Sequence, residues 1–132
     1  MIPPVDGVRG VGTDLVEIPR FRAALDRQPG LAARLFSDTE RTQAARAADP
    51  VPRLAARFSA KEAVMKALGV GLGAIDLHDV EVHSLPSGQP ELIVRGRAEA
   101  LAGSAGVTAW HVSLTHTDTM AMAMVVAVGT SE

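Results

Sequence analysis

The chain has 132 residues, a net charge of −2, and a composition that is 47% hydrophobic but only 3% aromatic. These values predict one domain, spanning residues 1–132, around an aliphatic core, and they argue against a general nucleic-acid binder. The sequence has no cysteine, which excludes disulfides and thiolate metal sites and is typical of a cytoplasmic protein. We expect no membrane partner, because the longest apolar run, residues 120–128, is too short to span a bilayer. We expect no signal peptide, because the first six residues contain no basic region followed by an apolar stretch.

Positive charge is concentrated in one part of the chain. Between Arg20 and Arg57 there are eight arginines and four acidic residues, so this segment carries +4 and the rest of the chain −6. A basic surface on a mildly acidic protein indicates a specific acidic partner. The same pattern is also compatible with arginines that simply solvate helix surfaces.

The first predicted elements are a strand over residues 9–16 and a helix over residues 19–27. Gly10 and Gly12 lie within the strand, where glycine permits another backbone to approach closely. Pro19 suits the first turn of a helix, because its fixed φ is helical and its missing N–H is not needed there.

Two more helices follow. Ser37 and Glu40 have the spacing of a capping box, which predicts a helix that begins just after Ser37. The pattern over residues 53–68 predicts a long helix that ends at Gly69.

The second half of the chain is rich in predicted strands. These cover residues 79–83, 91–95, 109–115 and 120–128, and a short helix is predicted over residues 98–105. One strand, several helices and then a β-rich half indicate an α+β fold. The last strand alternates large and small residues, which indicates that both of its faces are covered.

Asp14 is the first candidate for chemistry, because it lies inside an otherwise apolar strand. A carboxylate in that position is costly unless it meets a cation or a hydrogen-bond donor. It is therefore either a metal ligand or a residue at the strand end that caps the following turn.

Glu62 and Lys66 are the second candidates. They are four residues apart in the long helix and therefore share a face. By themselves they would form an ordinary surface ion pair worth a few tenths of a kcal/mol. Together with Asp14, Glu62 could hold Mg²⁺, which takes a few carboxylates plus phosphate oxygens, and Lys66 could neutralise those phosphates.

The helical wheel separates these side chains from Arg57. Apolar residues form a core-facing stripe at helical spacing: Leu54, Phe58 and Met65. Glu62 and Lys66 lie on one flank of the stripe, and Arg57 lies on the other, roughly 140–180° away. If Arg57 also binds the ligand, it must come from a neighbouring copy of the chain, which predicts a site at a subunit interface.

His116 is the third candidate, at the end of a predicted strand and beside a hydroxyl-rich turn. It could bind phosphate or move a proton, or it could be satisfied within the turn. His111 points to the opposite strand face and is assigned to structure. The glycines of residues 69–73 follow a helix instead of preceding one, so they are not a phosphate-binding loop.

Three segments in this order resemble the holo-acyl-carrier-protein synthase family of 4′-phosphopantetheinyl transferases. They are residues 12–17, residues 57–63 with Lys66 and the following glycines, and residues 111–117. The resemblance covers most of the chain, from Val8 to about Val128. It implies that family's fold, in which an antiparallel sheet packs on a long helix, with shorter helices in the first half.

The resemblance implies a reaction and a set of site residues. A phosphopantetheine group would pass from coenzyme A to a serine of an acyl carrier protein, for fatty-acid or polyketide synthesis, and adenosine 3′,5′-bisphosphate would leave. Asp14 and Glu62 would hold Mg²⁺, Lys66 would contact the diphosphate, and Arg57 and His116 would lie near the 3′-phosphate. These residues, apart from Arg57, form the implied catalytic set.

The resemblance also implies partners and further contacts. Gly69, Gly88 and Pro90 would belong to the coenzyme A site, the last two beside the adenine. Arg20 and Arg27 would face the acidic recognition helix of the carrier protein. The active form would be a homotrimer with sites between subunits.

Two other functions use the same residues. A metal-dependent phosphohydrolase that cleaves a nucleotide diphosphate would need the same acids and lysine, with water as the nucleophile. An inactive subunit that only binds coenzyme A or a carrier protein is the second alternative. The retention of Asp14, Glu62 and Lys66 argues against it, because a decayed site would be free to lose them.

Overall fold

The computed structural model describes residues 7–129 and contains five helices and five strands in that range. The helices are α1 (Ile18–Arg27), α2 (Leu31–Leu35), α3 (Asp38–Ala44), α4 (Val51–Leu68) and α5 (Gly96–Ser104). The strands are β1 (Gly7–Glu17), β2 (Val80–Ser84), β3 (Pro90–Val94), β4 (Val107–His116) and β5 (Met120–Gly129). The ends of the predicted domain, residues 1–6 and 130–132, lie outside the described residues.

The strands form two antiparallel sheets that share the long helix α4. The larger sheet has the order β1-β5-β4, and the smaller one pairs β2 with β3. This confirms the predicted α+β class and the antiparallel sheet packed on a long helix, with shorter helices in the first half. None of the helices within residues 7–129 has the length and apolar character needed to cross a membrane.

β1 lies directly against the backbone of α4, and glycine makes this possible. A Cβ added at Gly12 would lie 1.9 Å from the carbonyl oxygen of Ala63, and one added at Gly10 would lie 2.1 Å from that of Ala67. Any larger residue would push strand and helix apart. The predicted reason for these two glycines, a close backbone approach, is confirmed.

The small side chains of β5 face α4 and are fully buried: Ala121, Ala123, Val125 and Ala127. The opposite face is covered less than the alternating pattern predicted. Met122 and Met124 of β5 are 37% and 43% exposed, and Val11 and Leu15 of β1 are 52% and 62% exposed. Within the described part of a single chain, only one face of this sheet is therefore covered.

Local sequence signals correctly predicted where α3 begins and where α4 ends. Ser37 and Glu40 form the predicted capping box, in which the Glu40 N–H donates to Ser37 Oγ at 3.2 Å and the Ser37 N–H donates to Glu40 Oε1 at 3.0 Å. α4 ends at Gly69, whose φ of 71° is a left-handed conformation that favours glycine. The apolar stripe of α4 is also confirmed for Leu54 and Met65, which are buried, while Phe58 is partly buried and stacks on Phe21.

Two short elements were not predicted. α2 has five residues, and a 3-10 turn at Leu77–Asp79 has three, so neither is long enough to show a hydrophobic period. α2 matters for function because Leu31 and Leu35 form one wall of the cavity that contains Asp14.

Candidate active site

Asp14 and Glu62 come from different elements and face the same cavity of about 660 Å³. Asp14 lies in β1 and Glu62 in α4, which the glycine contacts bring together. Ser59 Oγ of α4 donates a hydrogen bond of 2.7 Å to the carbonyl oxygen of Asp14, which fixes the register between strand and helix. The carboxylates occupy one end of a cavity whose other walls are mostly apolar.

Lys66 of α4 does not line the cavity, but it contacts Asp14 of β1 beside this acidic end. Its Nζ lies 3.1 Å from Asp14 Oδ1 and donates to the carbonyl oxygen of Thr13 at 2.9 Å. The ion pair is therefore with Asp14, and the alternative of a simple Glu62–Lys66 pair along the helix is not what the structure contains. The Lys66 side chain is 56% exposed, so its amino group can turn towards a ligand.

The environment of Glu62 disfavours its charge. Partial burial raises the pKa of the Glu62 carboxyl, the negative charge of Asp14 raises it further, and the positive charge of Lys66 lowers it in part. A cation that contacts both carboxylates would therefore stabilise the ionised form of Glu62 beside Asp14.

This donor set fits Mg²⁺ that is shared with a substrate. Among the described residues there is no cluster of three or more histidine, aspartate or glutamate side chains able to hold a metal ion by themselves. Two carboxylates with a nearby lysine suit a hard cation that keeps several waters and takes its remaining ligands from phosphate oxygens. Asp14 and Glu62 are the residues that would hold it.

A second cavity, of about 710 Å³, contains the other predicted phosphate ligands. Arg57 and His116 both line it, together with Gly88 of the turn between β2 and β3. Arg57 thus lines a different cavity from Glu62, in agreement with the helical wheel, which placed the two residues on opposite flanks of α4.

Arg57 is nearly buried, with only 4% of its surface exposed. Its guanidinium donates to the carbonyl oxygens of Val82 and Arg53 at 3.3 and 3.4 Å, and to Ser84 Oγ at 3.0 Å. Burial lowers the pKa of Arg57, and the charge of Glu40 counteracts this in part. The guanidinium is held in place before any ligand arrives.

The remaining predicted residues are less closely associated with the cavities. Gly69 ends α4 and Pro90 begins β3, and neither residue is in the lining of the two cavities. Arg20 lines the first cavity and is largely exposed, and its Nη1 lies 3.9 Å from Glu17 Oε1. Arg27 is exposed in the last turn of α1. His111, assigned to structure, is exposed on β4.

The sequence prediction did not assign four polar residues of the second cavity to the site: Gln43, Arg46, Arg53 and Ser84. Gln43 is the most informative, because its Oε1 accepts hydrogen bonds from Arg57 Nη2 at 3.4 Å and from the Ser84 N–H at 2.8 Å. Its position three residues after Glu40, on the same helix face, was the available signal.

Comparison with known proteins agrees with this geometry. A family model described as the 4′-phosphopantetheinyl transferase superfamily matches residues 10–125. A holo-[acyl-carrier-protein] synthase of Streptomyces avermitilis is 50% identical over 120 residues, covering 91% of this chain and 97% of the relative.

Solved structures support the same assignment. The holo-[acyl-carrier-protein] synthase of Neisseria meningitidis has a TM-score of 0.81 at 29% identity, covering 91% of this chain and 98% of the other. The synthase of Bacillus anthracis, solved in complex with coenzyme A, has a TM-score of 0.77 at 29% identity, covering 94% and 99%. The chain belongs to the 4′-phosphopantetheinyl transferase superfamily, and it is similar over nine-tenths of its length to holo-[acyl-carrier-protein] synthases.

Proposed function

We propose that this protein is a magnesium-dependent holo-acyl-carrier-protein synthase. It transfers 4′-phosphopantetheine from coenzyme A to a serine hydroxyl of an apo acyl carrier protein. The observation that carries the proposal is that Asp14 and Glu62 line one cavity and Lys66 lies in contact with Asp14, in a chain of this superfamily. A cytoplasmic location agrees with the cysteine-free composition.

The diphosphate of coenzyme A would bind at the acidic end of the first cavity. Asp14 and Glu62 would hold Mg²⁺, which when bound offsets negative charge on the diphosphate oxygens. Lys66 exchanges its contact with Asp14 for a phosphate oxygen, since its amino group is half exposed. Its positive charge then stabilises the oxygen that gains charge as the bond to phosphorus breaks.

The reaction is one phosphoryl-type transfer. The serine oxygen of the carrier forms a bond to the phosphorus that bears pantetheine, and the hydroxyl proton passes to a water molecule. The bond from that phosphorus to the bridging oxygen of the diphosphate breaks, and adenosine 3′,5′-bisphosphate leaves with the electron pair. The carboxylates and Lys66 orient the two reacting groups, which is the main way a protein accelerates such a step.

The second cavity would bind the adenosine end of coenzyme A. Arg57 and His116 approach the 3′-phosphate, and the turn with Gly88 and Pro90 lies beside the adenine. Gly69, at the end of α4 and outside the lining of this cavity, would contact the ligand through its backbone. The support for this part is that Arg57, His116 and Gly88 line one cavity whose other polar residues include two further arginines.

The proposal requires more than one copy of the chain. Asp14 and Arg57 line different cavities of one chain, so a single coenzyme A would reach both through neighbouring subunits. The exposed apolar face of β1 and β5, with Val11, Leu15, Met122 and Met124, is suited to bury against other copies. We propose that the copies form the homotrimer with three interfacial sites that the family resemblance implies.

The carrier protein would dock beside the first cavity. Arg20 lies at the cavity and Arg27 lies seven residues later, so both project from the same side of α1. An acidic helix of the carrier would pair with them and place its serine near Asp14 and Glu62.

The direct test is the intact mass of an apo carrier protein after incubation with this protein, coenzyme A and Mg²⁺. We expect a gain of one phosphopantetheine, and no gain when a chelator is present. A hydrolase would cleave the diphosphate of coenzyme A without a carrier, and an inactive subunit would bind ligand without turnover. No mass gain with several unrelated carriers would contradict the proposal.

A further inference from the structure

Arg57 differs from an ordinary buried cation in the partners that hold it. Within residues 7–129, its guanidinium donates to carbonyl oxygens of Val82 and Arg53, to Ser84 Oγ and to Gln43 Oε1. All four acceptors are neutral. The carboxylate of Glu40 is paired with Lys61 and offsets the cost of burying the Arg57 charge only in part. An arginine held this way retains an attraction for an anion that enters the cavity.

Lys61, one turn later on the same helix, shows the contrasting arrangement. Its Nζ lies 2.8 Å from Glu40 Oε1, and both side chains are fully buried. Glu40 Oε2 also accepts the Val82 N–H at 3.0 Å. Here α3 supplies a carboxylate, and the charge of the α4 cation is neutralised within the protein.

Gln43 repeats the Glu40 arrangement one turn along α3, but without a charge. Its Oε1 accepts the Ser84 N–H at 2.8 Å and Arg57 Nη2 at 3.4 Å, and its Nε2 donates to the Ser84 carbonyl oxygen at 3.4 Å. The amide is thus clamped to both backbone groups of Ser84, and its oxygen points to the guanidinium. Glu40 and Gln43 each connect β2 to a cationic side chain of α4 by hydrogen bonds, but only Glu40 carries a charge.

We propose that Gln43 is a positioning residue that orients Arg57 and, by being neutral, leaves the arginine's charge available to a phosphate. The proposal rests on the proposed function, in which the second cavity binds the adenosine 3′-phosphate. Gln43 would thereby determine the preference for a nucleotide with that additional phosphate. A carboxylate at position 43 would form an ion pair with Arg57 and remove this preference.

The experiment compares Gln43→Glu with the wild-type protein. The ligands are adenosine 3′,5′-bisphosphate and adenosine 5′-monophosphate, and binding is measured by calorimetry. We expect Gln43→Glu to weaken binding of the bisphosphate by about 10- to 100-fold, because a new negative charge faces the guanidinium. Binding of the monophosphate should change less than about threefold, and the melting temperature should stay the same or rise.

Two controls separate charge from structure. Gln43→Met keeps the size of the side chain and removes the acceptor, so it should weaken bisphosphate binding less than Gln43→Glu does. Gln28→Glu makes the same charge change at the end of α1, where Gln28 contacts exposed Arg34, and should leave the ratio of the two affinities unchanged. If Gln43→Glu does not fold, the test becomes the ratio of the two nucleotide affinities measured for Gln43→Met. An unchanged preference of that variant for the bisphosphate contradicts the positioning role.

The outcomes also distinguish this inference from the proposed function. If the wild-type protein modifies a carrier and prefers the bisphosphate, but Gln43→Glu keeps that preference, the role of Gln43 is wrong and the function stands. If the wild-type protein neither modifies a carrier nor prefers the bisphosphate, both are wrong.

Discussion

Glu62 illustrates at the scale of one residue how a candidate ligand is held in an unfavourable state. Its pKa is raised first by partial burial and then by Asp14, and Lys66 compensates only in part. A carboxyl whose folded pKa exceeds its unfolded pKa binds protons more readily in the native state. Its charge therefore reduces stability at neutral pH, and the reduction is relieved as the pH falls through the raised pKa.

We expect Glu62→Gln to abolish carrier modification and to make the protein slightly more stable at neutral pH. The gain should be on the order of half a kcal/mol, because the partly exposed carboxyl is screened by solvent. Thermal unfolding without Mg²⁺ at pH 7 and pH 4 measures it, and the difference between variant and wild type should shrink at the lower pH. Loss of stability at pH 7 would contradict this account of Glu62. Glu99→Gln, at an exposed position in the first turn of α5, is the matched control. It should leave carrier modification intact and lower stability slightly instead of raising it, because a negative charge near a helix N-terminus is stabilising.

The two lysines of α4 provide a second comparison at this scale. Lys61 is fully buried with Glu40, whereas Lys66 is 56% exposed beside Asp14. Lys61→Ala would leave a buried carboxylate without its partner and should destabilise the fold by about 3–5 kcal/mol. Lys66→Ala should cost less than about 1 kcal/mol in stability yet remove activity.

Denaturant unfolding of both variants, with carrier modification measured alongside, tests this pair. Equal stability losses would show that Lys61 is not a structural cation. Retained activity in Lys66→Ala would remove Lys66 from the site.

At the scale of elements, the contact between β1 and α4 determines where Asp14 lies. Gly12 is two residues before Asp14, and its Cα sits against the carbonyl of Ala63, while Ser59 bonds to the Asp14 backbone one turn earlier on the helix. The strand can approach this closely only without a side chain at position 12. The distance between Asp14 and Glu62 therefore depends on a residue that carries no chemistry.

We expect Gly12→Ala to destabilise the protein by about 1–3 kcal/mol and to lower carrier modification more than tenfold, because the added methyl forces β1 away from α4. Gly71→Ala is the matched control, since its Cβ would meet nothing within 4 Å and its φ is not left-handed. Chemical denaturation and the mass assay measure both effects. A Gly12→Ala protein as stable and active as Gly71→Ala would contradict the proposed role of the close approach.

At the scale of the whole molecule, the two cavities and the exposed apolar face point to the same assembly. Asp14 and Glu62 line one cavity and Arg57 lines the other. The uncovered face of β1 and β5 is available for contact between copies. Cyclic association through a heterologous contact would bring the first cavity of one subunit to the second cavity of the next.

Mixing two inactive variants tests this assembly. Arg57→Ala lacks the buried arginine of the second cavity, and Lys66→Ala lacks the lysine that contacts Asp14. A mixed trimer therefore contains some interfaces with both residues intact. After co-refolding at equal amounts we expect about a quarter of wild-type activity, as random assembly of a cyclic trimer predicts. Light scattering should give the mass of a trimer. A monomeric mass, or no recovery of activity after co-assembly, would contradict the shared site.

The sequence by itself determined the elements that have strong local signals. The capping box at Ser37, the helix end at Gly69 and the glycines of the first strand follow from backbone geometry and close-range hydrogen bonding. The helical period was also sufficient to separate Arg57 from Glu62 and Lys66. Five-residue α2 shows no period, and its place in a cavity wall could not be predicted.

Only the tertiary structure decided which partners the polar side chains take. Lys66 pairs with Asp14, which lies 52 residues away, instead of with Glu62 on its own helix. Arg57 is buried among neutral acceptors supplied by α3 and β2, and His116 joins it from the end of β4. Such contacts depend on how distant elements pack and on which rotamers the packing allows, and a local pattern in the chain contains neither.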